Sequence, residues 1–315
     1  MYDLIIIGAA AAGSSAAIYC ARRNLNFKII TLDTGGEVAL SGEVGNWPGI
    51  LSIQGFELAQ KFTEHVKSYG VQIDEGWKVE KITPIKKHYV ITAVNGKDEK
   101  KDFETKAVLI ATGIHPRHLD IPGEEKLDRK GITYCTVCDG PLFKNKTTVT
   151  VGSGNSALES ALMMTGIAKK VYLFSKFANT PELNGGFPKG ENILIEKVKA
   201  LPNVEIIYEA EVTEIIGENK VSGIKYKDKT GKEHELAAEG VMVHIGQIPN
   251  SQFIDSVNKN KIGEIIVDEK CRTNLPGIFA AGDVTNVAYK QIGIAAGQGI
   301  VAGLAAIEYI NMWKE

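Results

Sequence analysis

Asp3-Leu4-Ile5-Ile6-Ile7-Gly8-Ala9-Ala10-Ala11-Ala12-Gly13, together with Thr147-Thr148-Val149-Thr150-Val151-Gly152-Ser153-Gly154-Asn155-Ser156-Ala157 in mid-chain, decides the fold. Each is an apolar or β-branched run that reads as a buried strand, ends in a glycine turn and opens a helix. The first helix is expected from Ser14 to about Arg23, with a second strand from Phe27 to Thr31. The second continues through Leu158 to Met164, with the next strand over Lys170 to Phe174. Such a βαβ unit aims unpaired N–H groups and the positive end of a helix dipole at its turn, where a pyrophosphate can bind. In the first copy Gly8 permits the tight turn and Gly13 the close packing of helix on strand, while Ala10 holds the middle position where the fingerprint has glycine. The second copy has Gly152 and Gly154 and ends in the permitted Ala157. Two copies, each in its strand-turn-helix context, support one another. The expected fold is therefore α/β, with two Rossmann-like, three-layer ββα nucleotide-binding domains and two bound dinucleotides.

The 315 residues suit two such domains. Thirty-six Lys plus Arg against 38 Asp plus Glu leave a net charge of −2, with no basic field to gather nucleic acid or anionic lipid. Asp3 comes first and Arg22 and Arg23 follow the apolar run, the reverse of a secretion signal. The apolar stretch Ile292 to Ile310 carries Gln298 and Glu308, so a buried helix is expected rather than a membrane span. Four cysteines make no disulfide scaffold, and a reducing, cytoplasmic location is expected. Cys20 and Cys271 stand alone and read as packing residues.

Cys135-Thr136-Val137-Cys138 is different, because it brings two sulfurs onto one local turn. It reads as a dithiol that cycles with a disulfide, or as half of a zinc site for which no second ligand pair is present; no metal is expected. Asp139 follows as a proton carrier for the leaving thiolate, or as a turn residue. Two further apolar strands end in glycine: Val108 to Ile110 before Ala111-Thr112-Gly113, and Gly277 to Ala281 before Gly282-Asp283. Asp283 suits a ribityl hydroxyl or a helix N-cap equally. Val241 to Ile245 leads to a proline-containing crossing between domains, Gly246 to Asn250, and Lys97 to Lys106 reads as a solvated hairpin.

With Cys-x-x-Cys-Asp-Gly set between the two glycine turns, the chain resembles the low-molecular-weight thioredoxin reductases along its whole length. The likeness is carried by Glu43-Val44-Gly45-Asn46-Trp47-Pro48-Gly49, Ile121-Pro122-Gly123-Glu124, Gly131-Ile132-Thr133-Tyr134-Cys135, Gly246-Gln247-Ile248-Pro249-Asn250, Gly282-Asp283-Val284 and Lys290-Gln291. Tyr134-Cys135, Cys138-Asp139-Gly140-Pro141-Leu142-Phe143-Lys144 and Tyr289-Lys290-Gln291-Ile292 are also similar to the flavoprotein subunit of alkyl hydroperoxide reductase. That protein carries extra N-terminal thioredoxin-like domains; a flavin unit beginning at residue 2 implies a separate thioredoxin or glutaredoxin-like dithiol protein as acceptor.

The resemblance implies the class II architecture of pyridine nucleotide-disulfide oxidoreductases. An FAD domain in two parts, 1–114 and 245–315, would surround an NAD(P)H-binding-like domain, 115–244, in a homodimer whose domains swivel. It implies Cys135 as the thiol that attacks the partner's disulfide, Cys138 against the flavin and Asp139 as acid and base. FAD would be held by Gly8, Ala10, Ala12, Gly13, Thr31, Gly35, Gly36, Glu37, Asn46, Thr112, Gly113, Gly282, Asp283, Lys290, Gln291 and Ile292. The pyridine nucleotide would be held by Gly152, Gly154, Asn155, Ser156, Ser175 and Lys176.

The chain departs from the pattern in places. Ala10 and Ala11 replace glycine and proline of the FAD turn. Glu37 replaces glutamine and sets a carboxylate near the flavin, disfavouring its anionic reduced form. After the strand ending at Phe174 comes Ser175-Lys176-Phe177, neither the basic cluster of an NADPH site nor the acid of an NADH site. Lys176 reads as the partner of a 2′-phosphate or as an ordinary exposed lysine. The donor stays open among NADPH, NADH and a ferredoxin-type reductant, and the competing function is a flavin-bearing redox sensor without fast turnover.

Overall fold

The computed structural model describes residues 1–41 and 43–314, apart from the side chains of Glu43 and Cys138. Contacts divide the chain into two compact units, Met1–His115 with Ile248–Glu315, and Pro116–Gln247.

The first unit is built on the strand Tyr2–Ile7. Successive side chains of a strand point to opposite faces. Leu4 and Ile6 enter one core with Ala12, Ala16, Ala17 and Cys20 of the helix Ala11–Ala21. Ile5 and Ile7 enter a second core with Val79, Ile82 and Ile91. A strand covered on both faces reads as a continuous apolar run, which is why Leu4 to Ile7 shows no alternation. Tyr2–Ile7 pairs in parallel with Phe27–Thr31 on one side and Lys100–Ile110 on the other. The expected short strand Val108 to Ile110 is the end of this longer strand, which pairs antiparallel with His88–Asn95 to form the solvated hairpin. Ile278–Ala280 adds in parallel beside it, with Ala280 opposite Ile110, itself opposite Ile7. Three strand ends, each running into a glycine-containing loop, therefore lie side by side.

The helix Ile292–Met312 is long and apolar enough, by length and composition, to cross a membrane. Here its small residues form a close contact with Ala11–Ala21: a Cβ on Gly299 would lie 2.0 Å from the Ala12 carbonyl oxygen, and one on Gly303 3.2 Å from Ala16. Ala295, Ala296, Ala302, Ala305 and Ala306 fall inside the first core.

The second unit has three layers. Its central parallel sheet runs Ile132–Thr133, Gly240–Val243, Thr147–Val151, Lys170–Ser175, Val204–Tyr208. On one face Ala157, Leu158, Ala161 and Met164 of the helix Asn155–Thr165 pack with Val171, Leu173 and Met242. On the other, Val149, Val151 and Phe174 meet Val212, Ile215 and Ile224 from an antiparallel sheet of Glu211–Gly217, Val221–Lys227 and Glu233–Ala237.

Candidate active site

The first glycine turn is closed by contacts that leave no room for side chains. Gly8 has φ +105°, and a Cβ there would sit 2.3 Å from the Ala111 carbonyl oxygen; a Cβ on Gly13 would sit 2.0 Å from the Gly8 carbonyl oxygen. Ala10 is extended, at φ −85° and ψ −158°, so the middle position needs no left-handed backbone and tolerates alanine without strain. No side chain among the described residues caps the helix that begins at Ala11, which leaves its first N–H groups to a ligand. Gly35 and Gly36 also have positive φ, and the Gly36 N–H donates to Asp33, whose carboxylate folds this loop. A Cβ on Gly36 would lie 3.3 Å from that of Ala10, so the loop borders the turn. Thr31 donates instead to the Asp33 carbonyl.

Asp283 lies in a turn, and the next helix begins only at Ile292, so it caps no helix. Its Oδ1 is buried without a hydrogen-bond partner among the described residues. Burial raises its carboxyl above the usual range, against the pull of Lys290. A buried orphan acceptor is costly unless a ligand donates to it, and the ribityl hydroxyls of a flavin nucleotide have that chemistry. Gln298, from the Ile292–Met312 helix, fixes this loop by accepting from the Gly282 N–H. Asn46 donates to Gln291 at 3.1 Å, while Lys290 is engaged by Glu264 at 2.7 Å and by the Thr285 carbonyl. Thr112 donates to the Asn250 carbonyl, and Gly113 has open space where a Cβ would stand. Burial also raises the Glu37 carboxyl; His115 opposes this, and Asp33 and Asp283 reinforce it. Burial thus works against the charge expected at this position.

In the second unit Gly152 has φ +148°, and a Cβ would meet the His244 carbonyl oxygen at 2.1 Å, whereas Gly154 faces open space. No side chain among the described residues caps the helix that starts at Asn155. Asn155 is paired with Glu191 through two hydrogen bonds of 2.8 Å, and Gly154 bridges to Lys189. Ser156 is exposed in the first turn of that helix. Ser175 is fully buried and donates to the Gly186 carbonyl, so its hydroxyl is occupied by the fold. Lys176 is exposed beside the Phe177 ring. The turn fits a dinucleotide, but the end of its second strand offers a single cation and no acid.

Cys135 is disulfide-bonded, immediately before the short helix Thr136–Asp139; the side chain of Cys138, expected against the flavin, lies outside the described residues. Thr133 accepts from the Cys135 N–H and donates to Asp139 Oδ2. The carboxylate is thereby fixed next to the Cys135 turn. Tyr134 donates to the buried Glu124 at 2.7 Å and packs against His118. Cys20 and Cys271 are free and buried, their thiols pushed up to about 12 and about 11 by burial. They are inert packing groups, as expected.

The family model described as pyridine nucleotide-disulphide oxidoreductase matches residues 2–299. The chain belongs to this family. An alkyl hydroperoxide reductase protein of Staphylococcus aureus is 41% identical over 311 residues, covering 98% of this chain and 59% of that protein. The chain therefore spans about three fifths of that relative. Among solved structures, the thioredoxin reductase of Lactococcus lactis superposes with TM-score 0.80 at 32% identity, covering 99% of this chain and all of that one. A ferredoxin-flavin thioredoxin reductase of Clostridium acetobutylicum superposes with TM-score 0.53 at 29% identity, covering 99% of each chain. Proteins of this family use FAD and NAD(P)H.

In this pyridine nucleotide-disulphide oxidoreductase, sequence reasoning missed Thr133, Gln298 and His244. Thr133 had a local signal, a hydroxyl residue two positions before a turn; the other two had none. Burial lowers the His244 imidazole from 6.5 to about 4. Between those values the unfolded chain binds the proton and the folded chain does not, so stability falls as pH drops through that window and is unaffected above it. At 1.36 kcal/mol per pKa unit the loss approaches about 3 kcal/mol by pH 4. Urea midpoints measured at pH 7.5 and 4.5 should show the loss in the native protein and a smaller one in His244→Gln.

Proposed function

We propose that the chain is an FAD-dependent thioredoxin-disulfide reductase. Electrons pass from a donor to FAD, then to the Cys135/Cys138 pair, then to a small thioredoxin or glutaredoxin-like dithiol protein. The observation that carries this reading is Cys135, disulfide-bonded and adjoining a helix whose Asp139 is fixed by Thr133. In the reduced pair the Cys135 thiolate attacks the partner's disulfide, forming a mixed disulfide and releasing one partner thiolate, which takes a proton from Asp139. Cys138 then gives its proton to Asp139 and attacks the Cys135 sulfur of the mixed disulfide, closing the pair and displacing the partner's second sulfur as a thiolate that takes up a proton. The unit with the Gly8 turn would hold FAD and the unit with the Gly152 turn a pyridine nucleotide.

NADPH is the favoured donor. The second reading, a ferredoxin-type donor, is supported by the occupied hydroxyl of Ser175 and by Lys176 being the lone cation at that position. Anaerobic mixing with NADPH and, separately, NADH should bleach the flavin band with one of them within seconds. Loss of absorbance with neither, but with reduced ferredoxin, would transfer the assignment to the second reading. Absence of multiple turnover with any donor and a thioredoxin would leave a redox sensor.

A further inference from the structure

Thr136, Ser160 and His244 are far apart in sequence and meet in the second unit. The Thr136 hydroxyl is hydrogen-bonded to the Ser160 hydroxyl at 2.6 Å and to His244 Nε2 at 2.7 Å. Thr136 and Ser160 are buried. Thr136 opens the redox helix, Ser160 lies on the helix Asn155–Thr165, and His244 follows the central strand Gly240–Val243.

The redox helix has four residues, far too few to hold its shape alone. Its geometry is set by tethers: Thr133 on the Cys135 and Asp139 side, and the Ser160 and His244 contacts on the Thr136 side. His244 is a firm anchor because its N–H donates to Val151 and its carbonyl packs where Gly152 lacks a Cβ. Removing the Thr136 hydroxyl would leave a buried hydroxyl and an imidazole nitrogen without their partner.

We propose that His244 and Thr136 form a positioning pair for the redox turn, holding the Cys135 backbone in the register that favours the closed disulfide. This rests on the reading of Cys135 and Cys138 as the redox couple. Loosening the turn lowers the effective concentration of one thiol at the other, so the dithiol form gains and the couple becomes easier to reduce.

The test equilibrates the holoprotein anaerobically in dithiothreitol buffers, with the dithiol fraction read by alkylation and mass. Thr136→Val, which keeps the shape, should shift the equilibrium three- to tenfold towards dithiol, about 15–30 mV at 29.6 mV per tenfold. Thr136→Ser should stay within twofold of the parent protein. His244→Leu should shift it in the same direction, and His244→Gln, which retains hydrogen-bonding groups, should recover most of the difference. A purely structural contact would lower the unfolding temperature and leave the equilibrium unmoved. Thr136→Val within twofold of the parent overturns the proposal while the redox reading stands. A parent protein with no two-electron couple removes both.

Discussion

Cys135→Ser is expected to abolish reduction of a dithiol protein, a fall of at least about a thousandfold, while the purified protein stays yellow. The reaction needs a thiolate to open the partner's disulfide, and a hydroxyl of much higher pKa cannot take its place at neutral pH. Cys20 and Cys271 cannot substitute, since both are buried with thiols raised by burial. Retention of flavin is expected because every residue proposed to hold it lies in the other compact unit. Asp139→Asn should be milder, about a hundredfold, the usual worth of a positioned general acid. It removes the proton while preserving an acceptor for Thr133. The measurement is steady-state turnover with a thioredoxin, alongside flavin absorbance per chain. Full turnover in Cys135→Ser would end the dithiol mechanism, and loss of flavin in the same variant would show that the substitution acts through folding.

The two βαβ units were legible because their signal is local. The strand, turn and helix of each lie within about thirty residues, and glycine at Gly8, Gly13 and Gly152 is dictated by carbonyl oxygens that approach within 2.3 Å of where a Cβ would stand. Ala10 departs from the fingerprint without strain in the chain itself, because its backbone has negative φ; the glycine usual there serves the approach of backbone to pyrophosphate. The alternatives for Asp283 could not be separated by sequence, since a cap and an orphan acceptor look alike until the position of the next helix is known. Ser175 shows the converse. The resemblance implies it as a nucleotide ligand, and the chain beyond it returns to Gly186, whose carbonyl accepts from its hydroxyl. What sequence reading could not reach are contacts made across the fold: Gln298 on the Gly282 loop, and His244 with Ser160 on Thr136. No periodicity encodes such pairs, because each member sits in its own element for reasons of local packing.

Gly13→Ala is expected to cost about 3 kcal/mol of stability or more and to yield colourless protein. Overpacking commonly costs about 1–3 kcal/mol when side chains can give way. Here the obstruction is backbone: the new methyl would fall 2.0 Å from the Gly8 carbonyl oxygen and 2.9 Å from its carbon. Relief requires the helix Ala11–Ala21 to move off the strand Tyr2–Ile7. That helix is held on its other side, where Gly299 admits the Ala12 carbonyl with no space to spare. Moving it would therefore carry the uncapped N–H groups away from the turn where a flavin pyrophosphate would bind, and disturb the Gln298 contact that orients Gly282 and Asp283. Gly154→Ala provides the contrast. Its Cβ would meet nothing within 4 Å, and its φ of −115° suits any residue. That variant should fold within about 1 kcal/mol of the parent, the scale of an N-cap glycine replaced by alanine, and keep its flavin. If the second turn receives a pyridine nucleotide, the variant should also bind it more weakly, as a rise in the NADPH concentration needed to bleach the flavin would report. Unfolding midpoints and flavin content of the two variants decide the matter: a yellow Gly13→Ala protein of parental stability would contradict the close approach of helix to strand on which the proposed flavin site depends.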